Sequence, residues 1–268
     1  MYCQEYDEAA PYDFVPYKFG AFSFTSYADR RKLVERGLLE EIELEWQLTA
    51  LGREVLAHAD KATATAFAQR HRDIRGDALV AATYKLFPYY ATRSEITERV
   101  LQGEQTALRN IARAAPAPYD KVGRVCTIGY EGRTLENYLN ALLVAGVTVL
   151  CDVRRNPISR KYGFSKSALA TGCIGVGIRY EHVRALGIDS EQRQSLVTQA
   201  DYDALFADYE QHSLPLQHAA VQQIAGWLKA GERVALTCYE SLPQQCHRHC
   251  VAEALESSLG KIFKALHL

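Results

Sequence analysis

The sequence predicts an α/β fold in its C-terminal half, a mostly parallel sheet with flanking helices, preceded by a small α+β module. Residues 125–128 and 147–153 form short continuous apolar segments, which are typical of strands buried on both faces. Between them, Thr134 can cap a helix whose apolar residues recur at a spacing of three or four, giving one apolar face. This β-α-β succession favours parallel strands joined by a right-handed crossover. Further strands are expected at residues 178–183 and 233–238, and helices at residues 202–211, 216–230 and 245–259.

Composition and charge exclude several classes of protein. The chain has 268 residues, 48% hydrophobic and 24% charged, which is typical of globular domains. Its net charge of -1 excludes a chain that binds nucleic acid through its overall charge, so such a role needs a local basic patch. No apolar segment approaches the roughly 20 residues that cross a bilayer, and the first residues lack a signal-peptide pattern. The seven dispersed cysteines predict free thiols, and we expect a cytoplasmic protein without membrane contact.

Residues 1–60 predict a winged-helix-like module. Residues 26–41 favour a helix that ends at Gly37, and residues 42–48 alternate between apolar and polar side chains, as a half-buried strand does. Thr49 can cap a following helix over residues 50–59. The order helix, strand, helix is that of part of a winged helix.

A resemblance supports this module. The first quarter of the chain carries three motifs: Tyr17-Lys18-Phe19-Gly20-Ala21-Phe22-Ser23-Phe24, Arg36-Gly37-Leu38 and Leu48-Thr49-Ala50-Leu51-Gly52. This pattern resembles the winged-helix-like portion of Panacea-type antitoxin domains, which pair with toxins in some bacterial operons. The resemblance implies a protein partner for residues 1–60.

Residues 61–118 connect this module to the α/β domain. Residues 61–113 read as mostly helical, with a break or end expected at Pro88. Residues 114–118, Ala-Ala-Pro-Ala-Pro, form a linker rich in small residues and proline. We therefore predict three parts, residues 1–60, 61–118 and 119–268.

Polar side chains follow three of the predicted parallel strands. Because ligands bind at the carboxyl ends of such strands, these side chains are expected to form one site for an anionic substrate. The candidate catalytic residues are Glu131, Asp152, Cys238, Glu240, Cys246 and His247. The candidate substrate-binding residues are Tyr130, Arg154, Arg155, Arg160, Lys161 and Arg248.

The same clusters carry a second resemblance. They are, in order, Thr127-Ile128-Gly129-Tyr130-Glu131-Gly132, Asp152-Val153-Arg154, Gly163-Phe164-Ser165-Lys166, Arg179-Tyr180-Glu181-His182, Leu186-Gly187, Cys238-Tyr239-Glu240 and Cys246-His247-Arg248. This series resembles the family called domain of unknown function 488, over residues 121–259. The resemblance implies where the site lies, but it implies no reaction.

Chemical roles follow from residue type and expected position. Cys246 is expected in the first turn of a helix, where unpaired N–H groups favour a thiolate, so it should be the most reactive thiol, ahead of Cys238. His247 or His249 could accept the thiol proton. Arg248 could bind a phosphate or carboxylate through two hydrogen bonds. Glu131 or Asp152 could act as a general base. The basic loop around Arg155 and Lys161 is a better candidate for binding nucleic acid than Arg30-Arg31-Lys32 on the first predicted helix.

Several alternatives stay open. No cofactor is called for, although a structural zinc held by Cys246 and Cys250, with Cys238 as a third ligand, is conceivable, as is a Cys238/Cys246 redox pair. The clusters favour an enzyme acting on nucleic acid or a nucleotide, with its reaction class undetermined. A non-catalytic DNA-binding or antitoxin-like regulator is the alternative, and a rhodanese-like sulfur carrier is a second one.

Overall fold

The computed structural model describes residues 1, 10–43, 45–59, 61–117, 123–193, 196–260 and 263–268. Cys3, Leu44, Pro118 and Lys121, which enter the predictions above, lie outside this range. The chain divides into two compact units, Met1–Ala115 and Pro116–Leu268. No helix within the described ranges combines the length and the apolar character that crossing a membrane requires.

The first unit contains two small antiparallel sheets. Its strands are β1 (Val15–Tyr17), β2 (Gly20–Phe22), β3 (Leu39–Ile42) and β4 (Glu45–Leu48), paired β1 with β2 and β3 with β4. Its helices are α1 (Phe24–Glu35), α2 (Ala50–Ala57), α3 (Ala62–Arg70), α4 (Gly76–Leu86), α5 (Thr97–Val100) and α6 (Gln105–Ala114). As predicted, the Thr49 hydroxyl caps α2 by accepting from the backbone N–H of Gly52 at 3.0 Å. Pro88 lies beyond the end of α4 and opens a short 3₁₀ turn.

One expectation for this unit was wrong. Residues 42–48 do not form a single strand, because the chain reverses at Glu43, whose φ of 57° is left-handed. Ile42 therefore faces Glu45 across a hairpin. The apolar alternation continues through this turn without a glycine or proline to mark it, so the sequence pattern does not reveal the reversal. Helix α1 also ends earlier than predicted, at Glu35, and Gly37 follows with a φ of 66°.

The second unit is an α/β domain, as predicted. Its five parallel strands lie in the order β7-β6-β8-β5-β9. The strands are β5 (Arg124–Gly129), β6 (Val149–Asp152), β7 (Arg179–His182), β8 (Arg233–Cys238) and β9 (Leu266–His267). The helices are α7 (Leu135–Val144), α8 (Lys166–Gly175), α9 (Gln199–Asp208), α10 (His218–Lys229) and α11 (Arg248–Leu259).

Local signals in the sequence explain these elements. Strand β6 is buried at all four positions, consistent with its unbroken apolar character. Thr134 caps α7 by accepting from the N–H of Asn137 at 3.1 Å. Gly146, with a φ of 67°, permits the turn that returns the chain to the sheet. The apolar face predicted for α7 is buried: Leu135, Tyr138, Leu139, Leu142 and Leu143.

The strand register brings the polar clusters to one level. Gly129 at the end of β5 lies beside Cys238 at the end of β8. Asp152 at the end of β6 lies beside Thr237, the residue before Cys238. The carboxyl ends of these three neighbouring strands therefore share one edge of the sheet, and the loops that follow them meet there.

Candidate functional site

A cavity of about 370 Å³ opens at the carboxyl edge of the parallel sheet. The loops after β5, β6 and β8 and the segment before α9 form its wall. The lining residues are Tyr130, Arg154, Arg155, Asn156, Ile158, Ser159, Arg160, Ile188, Arg193, Cys238, Tyr239, Glu240 and His247. The edge predicted from the sequence is thus where the cavity lies.

The loop after β8 crosses directly over the end of β5. A Cβ atom at Gly129 would lie 1.8 Å from the carbonyl oxygen of Glu240, so only glycine allows this approach. The N–H groups of Tyr130 and Glu131 both donate to the carbonyl of Tyr239, at 3.1 and 2.9 Å. The loop that carries Tyr239 and Glu240 is therefore fixed to the neighbouring strand.

Two charged residues predicted to act on the substrate support this loop instead. The Glu131 carboxylate accepts from the backbone N–H and the hydroxyl of Ser241, both at 3.0 Å. The guanidinium of Arg248 is buried and donates to the carbonyl of Glu240 and, at 2.9 Å, to that of Ser241. Neither side chain is among the residues that line the cavity.

Asp152 and Arg154 form a buried ion pair behind the cavity. Arg154 donates through Nε to Oδ1 of Asp152 at 2.8 Å and through Nη2 to Oδ2 at 2.5 Å. Its Nη1 donates to the Tyr130 hydroxyl and to the Phe164 carbonyl, both at 2.9 Å. Asp152 also accepts from the Tyr180 hydroxyl at 2.7 Å. Asp152 is therefore occupied as an acceptor and does not line the cavity, contrary to its predicted role as a base, whereas Arg154 borders the cavity with its donors largely used.

Lys161, which was predicted to bind the substrate, also contacts the protein backbone instead. Its Nζ donates to the carbonyl of Tyr130 at 2.9 Å, and it is not among the lining residues. Burial lowers the pKa of this ammonium group. Lys161 thus stabilises the turn after β5 rather than facing a ligand in the cavity.

Cys238, Cys246 and His247 form a compact buried group. The Sγ of Cys238 lies 3.9 Å from Nδ1 of His247, and Nε2 of His247 lies 3.0 Å from the carbonyl oxygen of Val153. Since a carbonyl only accepts, Nε2 carries a proton and, in the neutral ring, the Nδ1 lone pair faces Cys238. The Sγ atoms of both cysteines and a ring nitrogen of His247 all lie within 4.8 Å of one another.

The two thiols differ in their protonation. The hydrogen bond from Cys246 is the main cause that holds the pKa of Cys238 well below its ordinary value, although burial opposes this. Burial and the hydrogen bond to Cys238 raise the pKa of Cys246 well above its ordinary value. Cys238 is therefore the more acidic thiol of the pair.

The expectation for Cys246 was therefore wrong in its physical reason. Helix α11 begins at Arg248 with His247 as its N-cap residue. Cys246 precedes it in an extended conformation, with φ of -142° and ψ of 129°, after the turn Pro243–Gln245. Cys246 is thus outside the first helical turn, and burial together with the hydrogen bond to Cys238 raises the pKa of its thiol more than the backbone N–H and the charge of Arg248 lower it. Cys250 is not part of this group, since it clusters with Glu210 and His249.

Four arginines and a single carboxylate line the cavity. Arg155 pairs with Asp189 through Nε at 2.9 Å, and Arg193 forms an ion pair with Glu240. Arg160 is exposed, and no ion pair of its guanidinium is found within the part of the chain that the structure describes. The cavity wall therefore carries four guanidinium groups, three of them paired with carboxylates and the fourth, that of Arg160, exposed.

Six residues of this wall were not among the predicted site residues, and two of these, Arg193 and Tyr239, bear on its chemistry. Arg193 lies on a 3₁₀ turn, Ser190–Arg193, that follows no strand, so the strand-end rule gave no signal for it. Tyr239 is 45% exposed, and its ring packs edge-on against Tyr130 with centroids 5.3 Å apart. Its position between Cys238 and Glu240 was the available signal.

One comparison with known proteins yields a match. Residues 134–255 match a family model described as a domain of unknown function, DUF488. The match lies within the second unit and supports the resemblance drawn from its motifs. Neither the curated proteins nor the solved structures gave a match to this chain. The family description names no reaction, so function has to be argued from the cavity itself.

Proposed function

We propose that this protein is an enzyme that acts on a nucleotide or a nucleic acid in the cavity at the sheet edge. The observation that carries the proposal is the gathering of four arginines, among them the exposed Arg160, beside the Cys238–His247 pair. The proposed reacting centre consists of Cys238, His247 and Glu240.

The arginines favour a phosphate-bearing substrate. A guanidinium matches a phosphate through two parallel hydrogen bonds, and its charge persists at any physiological pH. Arg155 and Arg160 lie on the loop after β6, and Arg193 lies on the 3₁₀ turn Ser190–Arg193 that precedes α9. Arg154 is occupied by Asp152, which compensates its charge, so the phosphate would be bound by the other three arginines.

An exposed aromatic ring favours a nucleotide over a simple phosphate ester. Tyr239 lines the same cavity as these arginines and is 45% exposed. Stacking of a base on an aromatic side chain contributes about 1–3 kcal/mol and tolerates any base. A cavity that combines guanidinium groups with such a ring can bind the phosphate and the base of the same nucleotide.

The reacting centre supplies a thiolate and a proton acceptor. The Nδ1 atom of His247 faces Cys238, and Glu240 has one carboxylate oxygen, Oε2, that is buried and has no hydrogen-bond partner among the described residues. A buried carboxylate oxygen without a hydrogen bond lowers the stability of the folded chain, so its presence favours a functional role. Such an oxygen is suited to accept a proton from a reacting group. Proton transfer at this edge of the cavity is therefore part of the proposal.

Binding tests the substrate class. We expect nucleoside 5′-monophosphates and a short single-stranded DNA to bind, with a slope of log affinity against log salt of about -0.7 for each phosphate contact of the DNA. Arg155→Ala and Arg160→Ala should each raise Kd roughly tenfold or more, since each removes a charge-assisted contact. Arg124→Ala, at the opposite end of β5, is the matched control and should leave Kd unchanged. Binding that ignores salt and both cavity substitutions would refute the substrate class.

Turnover tests the reacting centre. Products formed from the same nucleotides and DNA can be followed by liquid chromatography and mass spectrometry. We expect Cys238→Ala and Glu240→Gln to retain binding and lose product formation, while Cys173→Ala, a buried thiol on α8, retains both. If the wild-type chain binds nucleotides without changing them, the non-catalytic regulator replaces the enzyme.

The first unit has a surface that favours a protein partner. Trp46 is 54% exposed on the β3–β4 hairpin, and the guanidinium of Arg30 lies over its ring and that of Tyr27, at 4.8 and 5.0 Å. We propose that this winged-helix-like part binds a protein, and that the chain works in the cytoplasm, where its six described free cysteines stay reduced. Co-purification with a protein encoded beside it, lost on Trp46→Asp, tests the partner.

A further inference from the structure

We infer that Cys238, Cys246 and His247 bind one zinc ion, with an open coordination position directed to the arginine-lined cavity. The ion's part in the reaction rests on the proposed function, whereas its binding does not. Thiolate sulfur and imidazole nitrogen are the ligands that zinc prefers, and two cysteines with one histidine form a known three-ligand set.

The distances fit a tetrahedral ion. With Zn–S bonds of about 2.3 Å and Zn–N bonds of about 2.0–2.1 Å, neighbouring ligand atoms lie roughly 3.5–3.8 Å apart. The three ligand atoms here lie within 4.8 Å of one another, and the Cys238 Sγ to His247 Nδ1 distance is 3.9 Å. Small side-chain rotations therefore complete the site without moving the backbone.

The histidine is held as a metal ligand needs to be. Its Nε2 donates to the carbonyl of Val153 at 3.0 Å, which leaves Nδ1 as the atom that faces the two sulfurs. Histidines that bind metals commonly donate their second ring N–H to a carbonyl or carboxylate in this way, which fixes the tautomer and the ring orientation. The ring is also 99% buried, so water does not compete for the remaining nitrogen.

The open position faces the substrate side. Cys238 and His247 line the cavity, whereas Cys246 does not, so the ion would be reached from the cavity between the first two ligands. Three protein ligands with a fourth position left open distinguish catalytic zinc from structural zinc. This arrangement is consistent with a site for chemistry rather than a closed structural clip.

Glu240 completes the proposal. Its Oε1 pairs with Arg193, and its Oε2 is buried, has no hydrogen-bond partner among the described residues and belongs to a side chain of the cavity wall. A water at the open position would give a proton to Oε2, and the resulting hydroxide would attack the electrophilic atom of the substrate. The leaving group then departs with its bonding pair and takes the proton back from Glu240, so the net change is hydrolysis by one water.

A second candidate group does not share these features. Glu210, His249 and Cys250 also place ligand atoms within 4.8 Å of one another. Glu210 is exposed, and Cys250 packs in the hydrophobic core on α11. None of the three lines the cavity, so this group provides a control for the site proposed here.

Metal content gives the direct test. We expect the full chain, purified and desalted, to contain one zinc ion per chain when its metal content is measured by inductively coupled plasma mass spectrometry. Replacement by cobalt should give a thiolate-to-cobalt charge-transfer band and the visible bands of a tetrahedral ion. Cys246→Ser and His247→Gln should lose both signals, and Cys250→Ser should keep them. Circular dichroism shows whether each variant is folded.

Two further outcomes separate this inference from the proposed function. A folded wild-type chain that takes up neither zinc nor cobalt, or a Cys246→Ser variant that retains both, overturns the zinc site even if nucleotides are bound and converted. One zinc per chain that disappears in Cys246→Ser supports the site even if no nucleotide is bound, a result that would overturn only the proposed substrate. Metal-free Cys246→Ser should still bind nucleotides, because the arginines are unchanged.

Discussion

Replacing Arg154 by methionine should destabilise the second unit strongly, although methionine preserves much of the apolar stem. The substitution removes both guanidinium contacts to Asp152, at 2.8 and 2.5 Å, and leaves a carboxylate whose side chain is 0% exposed. Removing one partner of a buried ion pair costs about 3–5 kcal/mol, because the remaining charge is left without compensation. Two further hydrogen bonds of Arg154, to Tyr130 and Phe164, are lost as well, so we expect the upper part of that range.

The neighbouring arginine supplies a matched control. Arg155 makes an ion pair with Asp189, but the two side chains are 34% and 58% exposed. Solvent-exposed pairs contribute about 0.2–1 kcal/mol, so Arg155→Met should cost no more than that. The same substitution at two adjacent positions thus predicts a several-fold difference in the loss of unfolding free energy.

Fluorescence can restrict the measurement to the second unit. The chain has two tryptophans, and Trp46 belongs to the first unit while Trp227 packs against the core of the second. In a Trp46→Phe background, urea unfolding followed by emission reports Trp227 alone. A double-mutant cycle with Asp152→Asn should give a coupling energy of about 1–3 kcal/mol between the paired side chains. Equal losses for Arg154→Met and Arg155→Met, or a coupling near zero, would show that the buried pair does not stabilise this unit.

Two other predictions use glycines and a helix cap. Gly129→Ala should destabilise the chain and weaken nucleotide binding, because the new Cβ would lie 1.8 Å from the carbonyl oxygen of Glu240. Gly226 is exposed within α10 and has open space around it, so Gly226→Ala should instead raise the free energy of unfolding in urea by about 0.5–1 kcal/mol. Hydrogen bonds led by that from the Thr198 backbone hold the pKa of Asp201 below its ordinary value. Its stabilisation of α9 should therefore be full above the unfolded pKa of about 3.9 and lost as pH falls through the lower folded pKa. The loss should appear as smaller protection factors, relative to the intrinsic exchange rate at each pH, for the amides at the start of α9, and Asp201→Asn should abolish this decrease.

Elements with a complete local signal were predictable. The strand expected at residues 233–238 is β8, Arg233–Cys238, and α7 begins after Thr134 with its predicted apolar face buried. In each of these segments the apolar pattern of the sequence and a second signal, the capping residue for α7 and the length of the apolar run for β8, indicate the same element. The hairpin at Glu43 had no such signal, because a left-handed glutamate is not recognisable from its sequence neighbours.

The location of the candidate site could be predicted from the sequence, but the role of each side chain in it could not. The parallel sheet determines that the ends of β5, β6 and β8 share an edge, so the clusters were correctly brought to one region. Whether a side chain faces the cavity depends on the path of the loop after β8, which reflects the close approach at Gly129. Glu131 and Arg248 therefore contact that loop, whereas Glu240 reaches the cavity. The start of α11 at Arg248 likewise depends on the preceding turn, which moved Cys246 out of the helix.

The support of the loop after β8 by Glu131 and Arg248 has a consequence for specificity. Glu131 and Arg248 hold the backbone at Glu240 and Ser241 from outside the cavity, so the position of the reacting side chains does not depend on the exposed residues of the same loop. Tyr239 and Leu242, 45% and 51% exposed, can therefore be exchanged at little structural cost. A substitution at Tyr239 should therefore alter what the cavity selects, while Cys238 and His247 keep their positions.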